Sequence, residues 1–103
     1  MQSTLLKNSI KWWKKLSQEE QNRIKKIFSQ IRDNPYVGDQ LRYRFLREKR
    51  LREKRIYYLV YEDLQAALIV AISNKKTQLE TIDYIVQYFD EYRLYLEKLL
   101  KKG

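Results

Sequence analysis

The chain has 103 residues and a mass of 12.8 kDa, the size of one domain, and its 22 Lys and Arg against 13 Asp and Glu leave a net charge of +9. A charge of that sign and size points toward polyanions: nucleic acid, a membrane surface or an acidic protein. With no cysteine and no histidine, the chain cannot hold a disulfide framework, a thiolate zinc site, a Ser-His-Asp triad or a two-histidine ribonuclease centre.

The two glycines, Gly38 and Gly103, are too few for a P-loop or a dinucleotide-binding loop. No apolar run approaches the ~20 residues of a membrane-spanning helix. Residues 1–16 carry charges within their apolar stretch and show no small-residue cleavage site, so no signal peptide is expected. A cytoplasmic protein without membrane association is the expectation.

A short strand is read near Ser3 to Leu6. Ile10, Trp13 and Leu16 have helical spacing. Ser17-Gln18-Glu19-Glu20 fits a capping box, a hydroxyl followed three residues later by a carboxylate. Ile24, Ile27, Phe28 and Ile31 then supply the apolar stripe of a second helix, and Asn34-Pro35 ends it. Two antiparallel helices around Ser17 make a helical hairpin.

After the loop Asn34–Asp39 the period changes. Tyr43 and Phe45 alternate with Arg42, Arg44 and Arg47, a half-buried strand pattern. Arg55 to Tyr61 is β-branched and aromatic on both faces, which predicts a central strand. Glu62-Asp63 is the turn, and Ala66 to Ile72 is a second buried strand, antiparallel to the first. Thr77-Gln78-Leu79-Glu80 reads as a second capping box. Leu79, Ile82, Val86, Phe89, Leu96 and Leu100 give one stripe for a long terminal helix ending in Lys101-Lys102. No linker interrupts the chain, so residues 1–103 read as one domain of α+β class.

The charge is unevenly placed. Residues 1–57 hold 16 basic and 6 acidic side chains, while residues 58–103 hold 6 and 7. The densest segment is Arg42–Arg55, with Arg42, Arg44, Arg47, Lys49, Arg50, Arg52, Lys54 and Arg55 against Glu48 and Glu53. It contains a direct repeat, Leu-Arg-Glu-Lys-Arg at 46–50 and again at 51–55, read as a hairpin or bent strand that presents cations twice. Cations interleaved with Tyr43, Phe45, Tyr57 and Tyr58 form a candidate nucleic-acid surface, in which the rings stack on bases. Trp12 and Trp13 read as core and helix-packing residues. Tyr84, Tyr88, Tyr92 and Tyr95 lie four, four and three apart, a helical stripe read as packing or a partner surface.

These residues in this order resemble the RelE/ParE superfamily of toxins from type II toxin–antitoxin modules. The resemblance runs from about Ile10 to Lys76. It rests on the helical hairpin ending in Asn34-Pro35, the loop and strand at Leu41, the run Lys54-Arg55-Ile56-Tyr57-Tyr58-Leu59-Val60-Tyr61, and the hydrophobic strand ending in Ser73-Asn74-Lys75-Lys76. The segment Arg55–Tyr61 is similar to the family's arginine-led central strand, and Lys-Lys-Thr-Gln before a helix resembles an archaeal-type subgroup.

The resemblance implies a helical hairpin packed on a small, mostly antiparallel sheet with a C-terminal helix. It implies an acidic cognate antitoxin and, in the RelE branch, cleavage of mRNA on the ribosome with no metal or other cofactor. The substrate's own 2′-hydroxyl attacks the phosphate while cations stabilise the developing charge. By this resemblance Arg55, Lys54, Arg52 and Lys76 are the candidate catalytic residues, and Arg42, Arg44, Arg47, Lys49, Arg50 and Lys75 the candidate RNA-binding residues. A lysine or arginine at its ordinary pKa is a poor general base at neutral pH, so the expected role is electrostatic. Nucleases of this kind often carry a tyrosine soon after the post-strand arginine; here the chain continues into a helix and Tyr84 is the nearest. Two other readings stay open: a ParE-like inhibitor of a DNA topoisomerase, and a non-catalytic nucleic-acid-binding protein on the same fold.

Overall fold

The computed structural model describes residues 2–5 and 10–101. The order is β1 (Gln2–Leu5), α1 (Ile10–Lys15), α2 (Gln18–Asp33), β2 (Asp39–Gln40), β3 (Leu46–Leu51), β4 (Lys54–Tyr61), β5 (Ala66–Asn74), α3 (Gln78–Gln87) and α4 (Phe89–Lys101). The strands form one sheet in the order β1-β5-β4-β3-β2. Only β1 with β5 is parallel; the other pairings are antiparallel. The expected α+β class and mostly antiparallel sheet are found, with the arginine-led strand β4 in the middle. Leu6 of the strand read at Ser3 to Leu6, and Lys102 of the basic tail, lie outside the described residues.

Helix α2 starts where the capping box places it. The Ser17 hydroxyl accepts from the Glu20 amide at 3.1 Å, and the Glu20 carboxylate accepts from the Ser17 amide at 3.1 Å. Three buried isoleucines, Ile24, Ile27 and Ile31, face the sheet. They pack with Leu16, Leu51, Ile56, Tyr58, Val60, Ala67 and Ile69, and half-buried Trp12 and Trp13 close the rim of this layer. The alternate residues of β4, Tyr57, Leu59 and Tyr61, belong to the opposite layer with Ile82, Ile85, Tyr92 and Leu96 of α3 and α4. The sheet is therefore covered on both faces. That is why Ile56–Tyr61 reads as an unbroken apolar run and not as an alternation.

One irregularity decides which side chains reach the second layer. The β4–β5 register shifts between Tyr57 and Tyr58, whose partners are Ala71 and Ile69, so Val70 is the extra residue of a bulge. Val70 and Ala71 both pack on the α3–α4 side. The parity of β5 is thereby reversed beyond Val70, and Ser73 faces α3 together with Arg55 and Tyr57.

Four local expectations are corrected. Arg42 to Phe45 is a turn and not a strand: the Phe45 ring packs, tilted, against Phe89 with centroids 4.4 Å apart, and β3 begins at Leu46. The terminal helix is broken at Tyr88, so that Phe89 can pack against Tyr61 at 5.3 Å while its carbonyl accepts from the Tyr61 hydroxyl. Thr77 is no side-chain cap for α3. Its amide and hydroxyl both donate to the Asn74 side-chain oxygen, at 3.1 and 3.2 Å. Leu79, assigned to the apolar stripe, is 69% exposed.

The loop before β2 is fixed by Tyr58. Its hydroxyl donates to the Pro35 carbonyl at 2.7 Å and accepts from the Gly38 amide at 3.0 Å. Gly38 passes so close to β3 that an added Cβ would lie 2.7 Å from the Glu48 carbonyl oxygen.

Candidate nucleic-acid interface

In the β3–β4 hairpin the first copy of the repeated Leu-Arg-Glu-Lys-Arg motif lies along β3, and the second runs from Leu51 at the end of β3 through the turn to Lys54 and Arg55 of β4. Arg50 is opposite Arg55, Arg55 is opposite Ser73, and Lys54 is opposite Asn74. Lys75 and Lys76 follow directly in the turn to α3. One end of the sheet thus gathers Arg50, Arg55, Lys75 and Lys76 from two strands and a turn.

Arg55 is the most sequestered of these cations. Its side chain is 11% exposed, and it lies 3.5 Å from the Glu48 carboxylate, itself 6% exposed. Gln78, the first residue of α3, donates to the same carboxylate oxygen at 2.9 Å. The Arg55 Nε is buried without a hydrogen-bond partner among the described residues. The neighbouring Tyr57 and Ser73 hydroxyls are bonded to each other at 2.7 Å, and burial raises the Tyr57 phenol above its ordinary pKa of 10.0. Glu48 was not singled out in the sequence, where it is one acid among cations. The signal that marks it is its position opposite Tyr57 in the register, which turns it into the core side of the sheet.

The remaining candidates disperse. Lys54 lies on the opposite face and pairs with Glu20 at 3.1 Å. Arg52 sits in the hairpin turn with φ of 58° and pairs with Glu19 at 2.5 Å. Both acids belong to the first turn of α2, and both carboxyls are held below their ordinary range, Glu19 mainly by Arg52 and Glu20 mainly by the Ser17 amide and then Lys54. Arg42 pairs with Asp83 of α3 at 2.5 Å. Arg44 stacks over the Tyr36 ring at 4.5 Å, and Arg47 does so at 5.1 Å while donating to the Gly38 carbonyl at 2.9 Å. Lys49 faces α2. Of the four aromatic residues expected to stack on bases, Tyr57 and Tyr58 are fully buried and Phe45 packs against the core; Tyr43 alone is largely exposed, at 45%.

Lys49, Arg50, Lys75 and Lys76 form no ion pair with any described residue, so their charge is available to a ligand. No group of three or more acidic side chains among the described residues is placed to hold a metal ion. No helix among them is long and apolar enough to cross a membrane.

No protein-family model matches the chain. No curated protein does so either. Solved structures do. The isolated E. coli RelE toxin superposes with a TM-score of 0.62 at 16% identity, covering 81% of this chain and 96% of that one. An arginine double mutant of E. coli RelE in the free state gives 0.66 at 16% identity, covering 81% and 95%. A chain of the intact E. coli RelBE toxin–antitoxin complex gives 0.62 at 16% identity, covering 70% and 93%. At such identities the likeness speaks for the backbone and not for the side chains, and on that ground this chain has a RelE-like fold.

Proposed function

We propose that this protein is the toxin of a type II toxin–antitoxin module and acts as a ribosome-dependent endoribonuclease on mRNA. The observation that carries the reading is the convergence of Arg50, Arg55, Lys75 and Lys76 on one end of the sheet in a RelE-like fold. In the reaction the ribose 2′-oxygen attacks the adjacent phosphorus and the bond to the 5′-oxygen breaks. A proton leaves the 2′-hydroxyl and one is returned to the 5′-oxygen, giving a 2′,3′-cyclic phosphate and a 5′-hydroxyl end. Charge builds on the phosphoryl oxygens, and preorganised cations there lower the barrier.

The placement supports one assignment of roles. Arg55, held by Glu48 and with its Nε unspent, stabilises the phosphoryl charge; Lys76 is its catalytic partner from the turn. Arg50 and Lys75 bind the flanking phosphates. Glu48 and Gln78 are positioning residues, fixing the guanidinium plane of Arg55. Arg52 and Lys54, expected to be catalytic from the sequence, are instead engaged by α2 and serve the hairpin. Arg42, Arg44 and Arg47 are likewise engaged, with Asp83, Tyr36 and Gly38.

An antitoxin is the proposed protein partner. Solved neighbours include E. coli RelE with a peptide of its antitoxin RelB. An acidic antitoxin complements a chain of net charge +9.

The test is purified protein added to ribosomes carrying a defined mRNA, with new ends mapped by primer extension. Cuts that depend on the ribosome and fall on the order of a hundredfold in Lys76→Ala support the reading. Intact RNA with blocked DNA supercoiling would replace it with topoisomerase inhibition. Salt-sensitive RNA binding with neither effect would leave a binding protein on this fold.

A further inference from the structure

The strongest charged feature outside the Arg55 end lies on the other face of the sheet. Strand β2 pairs with β3 only at Arg47 and Glu48, so the far half of β3 is an open edge. Between that edge and α2 runs a cleft of about 340 Å³ bordered by Arg23, Lys26 and Gln30 of α2 and by Lys49 and Arg50 of β3. Arg23, Lys26 and Gln30 are spaced three and four apart, so they share one side of the helix. Its lining holds no carboxylate, and three of its four cations, Arg23, Lys26 and Lys49, belong to it alone, since Arg50 lies opposite Arg55 and turns its side chain to the other face. Arg23 is shared with Glu19 at 3.6 Å, whereas Lys26, Lys49 and Arg50 have no ion-pair partner among the described residues.

Edge protection against aggregation accounts for cations on β3. It does not account for a matching row on the helix across the cleft. The lining also says what kind of polyanion fits. The apolar residues in it, Ile27 and Leu51, are 5% and 1% exposed, so a docking protein helix finds no apolar anchor. No aromatic side chain borders the cleft, so a single strand finds no stacking platform. Cations and an amide facing a groove are what the backbone of a duplex needs, since phosphate contacts require neither anchor nor stack.

We infer that the α2–β3 cleft is a second RNA site, which grips the phosphodiester backbone of duplex RNA through Arg23, Lys26 and Lys49, apart from the chemistry at Arg55. The inference rests on the RNA reading of the protein, and its test needs no cleavage.

The experiment is fluorescence anisotropy of a labelled RNA duplex across a salt series, with wild type, Lys26→Gln/Lys49→Gln and the control Lys98→Gln/Lys101→Gln on α4. Each lost phosphate contact lowers the slope of log affinity against log salt by about 0.9. The cleft variant is expected to lose about 1.8 from the slope and at least tenfold in affinity at low salt, and the control to match wild type. Lys26→Gln alone, at an exposed helix position, should lose about half of that slope and serves if the double variant does not fold. An unchanged slope, or an equal loss in the control, overturns the site. A DNA duplex bound as tightly as RNA overturns the RNA assignment. A cleft variant that binds RNA normally but no longer binds a polyglutamate peptide overturns it in favour of an acidic protein. Failure of the nuclease reading would show separately, as intact mRNA on ribosomes with these binding results unchanged.

Discussion

Removing Arg55 alone should cost stability and function together, whereas removing its buried partner as well should cost function alone. In Arg55→Met the Glu48 carboxylate, 6% exposed, keeps the Gln78 amide at 2.9 Å but loses its cation. An uncompensated buried charge costs about 3–5 kcal/mol. Against the ~5–15 kcal/mol that holds a domain of this size, that is a large loss, and the single variant will be marginal or unfolded. In Glu48→Gln/Arg55→Met both charges are gone, and the new amide oxygen still accepts from Gln78. This double variant should lie within about 2 kcal/mol of wild type, so the cycle shows a coupling of at least ~2 kcal/mol. Urea unfolding of wild type, both single variants and the double variant measures it. Cleavage should be lost on the order of a hundredfold in the refolded double variant. A double variant as unstable as Arg55→Met would refute the buried-pair argument, and one that is stable and fully active would remove Arg55 from the site.

Other outcomes follow from the same geometry. Gly38→Ala forces a Cβ to within 2.7 Å of the Glu48 carbonyl, and backbone on both sides must shift; a loss of ~1–3 kcal/mol is expected by chemical unfolding, and an unchanged midpoint would contradict the close approach. Arg52→Gly suits the turn's φ of 58° and removes only the Glu19 tether, so ribosome-dependent cleavage should stay within about threefold of wild type; a hundredfold loss would restore Arg52 to the chemistry. The Glu19 and Glu20 carboxyls are held below their ordinary 4.5, so their contribution to stability is present above that pH and lost as pH falls through the lowered values; an acid titration of Glu19→Gln/Glu20→Gln should show a shallower loss than wild type. Burial raises Tyr57, Tyr58, Tyr61 and Tyr92 above their ordinary 10.0, Tyr92 to about 12, so stability is complete below pH 10 and falls as pH rises beyond it. Ultraviolet titration should show these phenols ionising only as the chain unfolds, and early, reversible ionisation of all nine tyrosines would contradict their burial.

Strong local signals are readable in the sequence alone. The Ser17 capping box, the isoleucine stripe of α2 and the doubly apolar strand β4 each rest on short-range chemistry or burial on both faces, and each stands where expected. The failures share a cause. Arg42 to Phe45 alternates like a strand, but the Phe45 ring is worth more against Phe89 than in a pleat. No Gly or Pro marks the break at Tyr88, which exists because Phe89 must reach Tyr61. The bulge at Val70 leaves no trace in Ala66–Ile72, where every residue is apolar, yet it sets Ser73 beside Arg55. The candidate site was legible as a cationic segment and not as a constellation. Ion pairing to acids on the helices selects which cations stay free, and those acids, Glu19, Glu20 and Asp83, are distant in sequence from the cations they neutralise.

The central claim is cleavage of translated mRNA by the Arg55 end of the sheet. Its most direct test is induction of the protein in growing cells, with mRNA 5′ ends mapped beside Lys76→Ala and the stable Glu48→Gln/Arg55→Met variant. The account predicts new cuts confined to translated frames in wild type and their disappearance in both variants at equal protein levels. Cuts that persist in the variants, or growth arrest with mRNA intact, would contradict it.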